Sequence, residues 1–360
     1  MGSVSSKMSP PQSSYRELTR RILREAGAAG QPANGSFELT ARCNLACRMC
    51  YVRHSHACKA NSPPELSADQ WAQLALEAVD AGMVFLLLTG GEPLLRPDFF
   101  DIYHRVAPLG VMLILFTNGT LVTKEVARRL AECPPSRTEV TLYGATEPTY
   151  EAVTGAPGGY RRCVAGIEHL LNAGLTLLVK STVCALNVHE IDEMRGMADR
   201  WGVPFAVSPH LFGPRDGVES ESCQLRLTPC QQADVEAQAW VDPPPAEDPG
   251  LAPPGSAFYC SAGTSSFIVS STGEMGICNA LPLPRAQPLQ VGFAEAWRQV
   301  REFALSIPPT PQCASCELRR YCGCCPGWSY SEMRRLDGAV PFLCELAKER
   351  AKRHRRPEAG

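Results

Sequence analysis

Cys43, Cys47 and Cys50 stand close enough along the chain to bind one metal centre from a single loop. The run is Cys-Asn-Leu-Ala-Cys-Arg-Met-Cys, and it follows directly on a stretch, Ser36–Ala41, that reads as a strand. Three thiolates on a short loop can hold three irons of a [4Fe–4S] cube and leave the fourth without a protein ligand. Such an open iron can bind a substrate, whereas a structural zinc site with four protein ligands has no vacancy. A zinc knuckle completed by a distant ligand, or three unrelated thiols, are the alternatives that this spacing leaves open.

The chain has 17 cysteines, and a second set crowds the C-terminal third. Cys260 is followed by twelve residues, Gly273, four more residues and Cys278. Then come Cys313-x2-Cys316-x5-Cys322, the pair Cys324 and Cys325, and Cys344. A zinc ribbon on Cys313, Cys316, Cys322 and Cys325 is one reading, but it leaves Cys260, Cys278 and Cys344 without a purpose.

The elements that must position these residues read as follows. Six short apolar stretches (Ser36–Ala41, Met83–Leu88, Val111–Phe116, Glu139–Leu142, Leu175–Val183 and Phe205–Ser208) alternate with helix-periodic segments, and Gly or Pro marks the joins. Alternation of this kind predicts a parallel α/β sheet, curved or barrel-like, whose ligands gather at the C-terminal strand ends. The chain divides into a disordered start with a basic helix (1–35), a partial (β/α)6 barrel (36–212), a Pro-rich linker with a helical insert (213–257), a cysteine-rich domain (258–346) and a basic tail (347–360) read as a solvated helix end. The cysteine-rich domain has so few apolar residues that bound clusters are expected to help hold it together.

Bulk properties narrow the function. Charged residues make up 20% and the net charge is −2, which gives no electrostatic footprint for nucleic acid. No apolar run approaches bilayer length and no secretion signal opens the chain, so the expected location is the cytoplasm, with no membrane partner. In a reducing compartment many cysteines point to metal or catalysis rather than disulfides.

Thr89-Gly90-Gly91-Glu92-Pro93 ends the second strand. Together with the C-x3-C-x2-C loop this resembles the radical S-adenosylmethionine superfamily. The resemblance implies a [4Fe–4S] cluster on Cys43, Cys47 and Cys50, with S-adenosylmethionine on its open iron. Gly90, Gly91, Glu92 and Pro93 would then hold the methionine end of that cofactor, the glycines letting backbone carbonyls come close. Asn118, Thr141, Lys180 and Ser181, at or near later strand ends, are further candidates for cofactor contact. Relatives carry an acid where this chain has Tyr143, and an Arg-Gly where it has Thr154-Gly155, so a carboxylate-binding arginine is missing there. The C-terminal cysteines resemble the SPASM module, which carries auxiliary clusters. By that resemblance Cys313, Cys316, Cys322 and Cys344 hold one cluster, and Cys260, Cys278 and Cys325 hold another. The expected x3 spacing after Cys322 lands on Pro326, so Cys325, or Cys324 in its place, takes that role. The fourth ligand of the latter cluster is open, with Cys324, Cys230 or Cys223 as candidates.

The activity implied is reductive cleavage of S-adenosylmethionine to a 5′-deoxyadenosyl radical, which abstracts hydrogen from a substrate. Enzymes with this module mostly modify ribosomally made peptides or proteins by cross-linking, epimerisation or oxidation. A small-molecule dehydrogenase or cofactor-pathway enzyme is the alternative, and a zinc-stabilised binding protein a distant one. A flavodoxin- or ferredoxin-type electron donor is implied as a partner. Only about 35 residues precede the first strand, too few for a fused leader-binding module, so a separate leader-binding protein is a further candidate partner. Asn279, directly after Cys278, stands where the sulfatase-maturing branch has an Asp base. An amide cannot accept the proton, so that activity is not expected. Tyr51, Tyr143 and Asn279 are the candidate residues near the reacting centre.

Overall fold

The computed structural model describes residues 12–52, 64–215, 220–239, 251–253 and 255–354. His54, His56 and Cys58 lie outside the described residues. Six parallel strands form the sheet expected from the alternation: β1 (Asn34–Glu38), β2 (Phe85–Thr89), β3 (Met112–Thr117), β4 (Arg137–Thr141), β5 (Leu177–Thr182) and β6 (Phe205–Ser208). Helices α2 (Ala68–Asp80), α3 (Phe99–Val106), α4 (Lys124–Glu132), α5 (Glu147–Thr154), α6 (Gly159–Asn172) and α7 (Ile191–Trp201) return the chain between them, after an N-terminal α1 (Gln12–Ala29). Their starts follow from capping chemistry. Ser67 and Gln70 form a reciprocal capping box on α2, and the Thr123 and Thr146 hydroxyls accept backbone N–H groups at the starts of α4 and α5.

The sheet does not end where the barrel was expected to end. Its order is β6-β5-β4-β3-β2-β1-β7-β8-β9, with β7 (Ser266–Val269), β8 (Met275–Cys278) and β9 (Leu281–Ala286) drawn from the cysteine-rich region. β7 lies parallel to β1, with Phe37 opposite Val269, and β8 and β9 continue antiparallel. Phe267 on β7 packs against Phe293 and Trp297 of α11 (Phe293–Ser306), and all three belong to the same buried cluster as Phe37 and Trp71. The thin-core expectation is therefore corrected for residues 258–307: they share the main apolar core. A strand as short as Ser266–Val269 carries too little periodicity to reveal that it pairs with β1, more than 200 residues away.

Three single-turn helices, α8 (Ser222–Leu225), α10 (Pro288–Val291) and α12 (Pro311–Ala314), interrupt the connections. The remaining helices are α9 (Pro229–Ala239), α13 (Pro326–Met333) and α14 (Pro341–His354). The basic tail also departs from expectation. Within α14, Arg350 makes a two-pronged bond to Glu236 of α9 at 2.6 and 2.6 Å, and Arg353 bonds Asp234. The arginines are periodic with the helix and find carboxylates on its neighbour, so this segment up to His354 is packed rather than frayed. Below the sheet, Leu23 and Ala26 of α1 meet Ala33 and Phe85 in a small apolar cluster at the N-terminal strand ends, leaving the C-terminal ends for the site.

Candidate active site

The cysteine loop is seated directly on the GGEP strand end. Gly91 N–H donates to Thr40 O at 2.7 Å, Glu92 N–H donates to Arg42 O at 2.9 Å, and Leu39 N–H donates to Thr89 O at 2.9 Å. The glycines are required by this seating. A Cβ on Gly90 would stand 2.4 Å from Thr40 O, and one on Gly91 would stand 2.2 Å from Arg42 O. Gly90 also has φ +146°, a region that L-residues rarely adopt. In the structure these glycines admit the cysteine loop itself, a role that the motif alone did not indicate.

Glu92 is wholly buried and joins two strand ends. Its carboxylate accepts from Asn118 N at 2.7 Å, Thr117 Oγ1 at 2.8 Å and Leu94 N at 3.2 Å. Burial outweighs these three donors and pushes its pKa up to about 7. The Asn118 amide then donates to Asn44 Oδ1 at 2.9 Å and lies 3.8 Å from Cys43 Sγ. Cys43 and the strand ends are thus locked in one network.

The other side of the loop rests on α5. Ala46 N–H donates to Thr154 O and Arg48 N–H to Val153 O, using carbonyls that the helix terminus leaves free. Thr154-Gly155, where relatives carry Arg-Gly, supplies backbone support instead. Arg96, buried under the loop, donates to Leu39 O and Leu66 O at 2.8 Å each and pairs with Glu65 and Asp98. Glu65 in turn holds Thr40 and Arg42. Neither Arg96 nor Glu65 was singled out from sequence; the cue was only that Arg96 follows the GGEP turn.

Cys43, Cys47 and Cys50 are mutually close enough for their charges to interact. Burial pushes the Cys43 thiol up to about 11 and the Cys47 thiol higher, and each neighbouring thiolate adds to the effect. Tyr143 faces the same trio; its phenol is raised by burial and then by Cys47, Cys50 and Cys43. Three thiols set close together, with Cys43 and Cys47 held away from water, form a donor set that a cationic metal cluster would fit. Among the described residues no three donors are drawn together as for a single ion, and a four-iron cube spreads its ligands more widely than one zinc does.

Thr141 and Lys180 stand opposite each other across β4 and β5. Lys180 Nζ lies over the Phe116 ring and 3.2 Å from Glu139, and burial lowers its pKa to about 8. Ser181 does not join it. Leu177 and Val179 on the same strand belong to the core under the helices, so by the two-residue period Ser181 points there too, fully buried with an unpartnered hydroxyl. Lys180 and Ser181, both candidates for cofactor contact, therefore lie on opposite faces of the sheet.

The C-terminal thiols fall into two sets. Cys325 interacts with Cys260 and Cys278, and the backbone at Gly327 lies between them: a Cβ there would be 3.6 Å from Cys325 Sγ and 3.7 Å from Cys278 Sγ. Cys344 interacts with Cys313 and Cys316, and Cys322 with Cys344 and Cys313. Cys324 turns toward this second set, with its thiol 3.7 Å from Gly338 O. Cys230 is held by Arg353, and Cys223 lies beside Arg226.

Between the N-terminal trio and the Cys278 set runs a polar bridge that sequence reading missed. Arg215 clamps Glu38, at the end of β1, at 2.7 and 2.8 Å, and donates from Nε to Asn279 O at 2.8 Å. Asn279 Nδ2 lies 3.3 Å from Tyr51 Oη, and Arg215 N–H donates to Tyr51 O at 3.2 Å. Tyr51 and Asn279 are both candidates from the sequence; Arg215 lies in an irregular segment where no pattern points to it.

With this geometry in view, the likeness to known proteins is informative. Residues 37–200 match the radical SAM superfamily. AdoMet-dependent heme synthase of Methanosarcina barkeri is 29% identical over 334 residues, 82% of this chain and 91% of that protein. Mycofactocin maturase MftC of Mycobacterium ulcerans is 32% identical over 174 residues, 48% of this chain and 46% of that protein. Streptococcus suis SuiB bound to S-adenosylmethionine shares the fold with a TM-score of 0.68 at 15% identity, covering 94% of this chain and 84% of SuiB. SuiB bound to its precursor peptide SuiA superposes with a TM-score of 0.64. An α/β parallel sheet and a C-x3-C-x2-C loop docked on a GGEP strand end agree with what the sequence likeness shows: residues 37–200 match the radical SAM superfamily, whose members use a [4Fe–4S] cluster and S-adenosylmethionine.

Proposed function

We propose that the chain is a radical enzyme that cleaves S-adenosylmethionine reductively at Cys43, Cys47 and Cys50 and uses the resulting radical to modify a peptide or protein. The observation that carries the first half is the docking of the cysteine loop on Gly90–Glu92 at the C-terminal ends of the parallel strands. The cluster and its bound cofactor supply a radical able to take hydrogen from an unactivated carbon. The chain's own residues hold and shield. Glu92, Asn118 and Arg96 fix the loop; Thr141 and Lys180, on the face of β4 and β5 away from the helices, are proposed to meet the polar end of the cofactor; Tyr143 borders the thiols. Cys260, Cys278 and Cys325, and separately Cys313, Cys316, Cys322 and Cys344, are proposed as ligands of two auxiliary clusters.

The peptide reading is supported by the fold shared with SuiB, which binds a precursor peptide, and by the partial likeness to a mycofactocin maturase. A second reading, a tetrapyrrole substrate, is favoured by one observation: the likeness to the heme synthase spans nearly the whole of both chains. Release of 5′-deoxyadenosine by reconstituted enzyme, measured with candidate peptides and with tetrapyrroles, decides between them. Stimulation by a peptide alone supports the first; stimulation by a tetrapyrrole alone replaces it with the second. An electron donor of flavodoxin or ferredoxin type completes the proposed system. Among the described residues no helix is long and apolar enough to cross a membrane.

A further inference from the structure

The largely buried Arg215 guanidinium touches both halves of the proposed machinery. Its side chain is 16% exposed, and its carboxylate partner Glu38 is 7% exposed. Nε donates to the carbonyl of Asn279, the residue directly after Cys278. Its backbone N–H donates to Tyr51 O, directly after Cys50, and its guanidinium lies 5.7 Å from the Tyr51 ring centre. Arg215 and the Cys278 thiol interact electrostatically. Arg215 thus links the two: Nη1 and Nη2 donate to Glu38 while Nε donates to the residue beside Cys278.

We propose that Arg215 is a positioning residue that raises the reduction potential of a cluster held on Cys260, Cys278 and Cys325, with Glu38 tempering the effect. This rests on the reading that those three thiols hold a cluster. Adding an electron makes a cluster more negative, and a desolvated cation nearby stabilises that added charge far more than it would in water. Glu38 offsets part of the field because its carboxylate, bonded to the same guanidinium, carries the opposite charge. The consequence is a second site that takes up an electron more readily than its thiolate ligands alone would allow. Asn279, which carries an amide at the position of a base, serves here as the joint: its carbonyl orients Arg215 and its side chain reaches Tyr51.

The test is a mediated redox titration followed by electron paramagnetic resonance on anaerobically reconstituted full-length protein carrying Cys43, Cys47 and Cys50 as Ala, so that only C-terminal clusters report. The wave lost in a further Cys325→Ala variant identifies the site. Arg215→Gln should lower that wave's midpoint by at least about tenfold in the reduced-to-oxidised ratio at fixed potential, about 59 mV for one electron. Glu38→Gln should raise it, and Arg215→Lys should restore most of the wild-type value. Opposite shifts from the two partners of one ion pair cannot come from general loosening of the fold. A wave that stays in place, or moves the same way in both glutamine variants, overturns the proposal while leaving the auxiliary-cluster reading standing. The absence of any wave sensitive to Cys325 overturns both.

Discussion

The Glu92 carboxylate accepts the backbone N–H of Asn118 at 2.7 Å, tying the end of β2 to the end of β3 beneath Cys43. A buried acid that serves three donors cannot be replaced by its amide without one NH2 facing a donor. Glu92→Gln should cost about 1–3 kcal/mol of stability and reduce iron incorporation, read by thermal melting and by iron and sulfide content.

The same residue gives a pH signature. Its pKa is raised in the fold to about 7 from an ordinary value of 4.5. The folded state therefore holds the proton more tightly than the unfolded chain does. That contribution is fully present below about pH 4.5 and is lost as pH rises to 7. It amounts to about 3 kcal/mol over the window. Denaturant titrations between pH 4.5 and 7.5 should show the stability advantage of wild type over Glu92→Gln shrinking as pH rises.

Gly91→Ala places a Cβ 2.2 Å from Arg42 O. A backbone carbonyl cannot move aside as a side chain can, so the cysteine loop must lift. The expected outcome is a folded protein with iron at the N-terminal site largely lost. Gly196→Ala, on α7 with only Arg200 Nη1 at 3.6 Å, is the control; it should gain up to about 1 kcal/mol in helix propensity.

Arg96→Met removes a buried cation from between Glu65 and Asp98 and orphans Leu39 O and Leu66 O. Breaking one side of a buried charge network costs about 3–5 kcal/mol. Calorimetry should show a large fall in Tm, whereas the exposed pair Arg128–Glu132 can be removed with little effect.

The two adjacent thiols separate functionally. Cys325 faces Cys260 and Cys278, whereas Cys324 turns to the other set. Cys325→Ser should lower iron content by about one cluster's worth, and Cys324→Ser should leave the Cys260 set loaded. Iron counted per chain checks both.

Much of this was legible from residue order. The six strands and their helices followed from period and punctuation, because each β–α unit is local in sequence. What escaped was long-range or one residue out of phase. Lys180 and Ser181 are neighbours in sequence, but a strand sends them to opposite faces. β7 needed β1 as a partner far away in the chain. Arg215 is bonded to Glu38 across 177 residues from a segment without regular structure, and such a pairing leaves no trace in composition or spacing. The glycines of GGEP were marked for closeness to a ligand; in the structure the nearest neighbours are the carbonyls of the cysteine loop.

The account depends most on the loop that carries Cys43, Cys47 and Cys50. The direct measurement is 5′-deoxyadenosine formed from S-adenosylmethionine by anaerobically reconstituted, reduced protein, with all three cysteines changed to alanine and compared with wild type. Cleavage by wild type and none by the triple variant, with the C-terminal clusters still present, is the predicted result. Cleavage that survives in the triple variant at the wild-type level would contradict it.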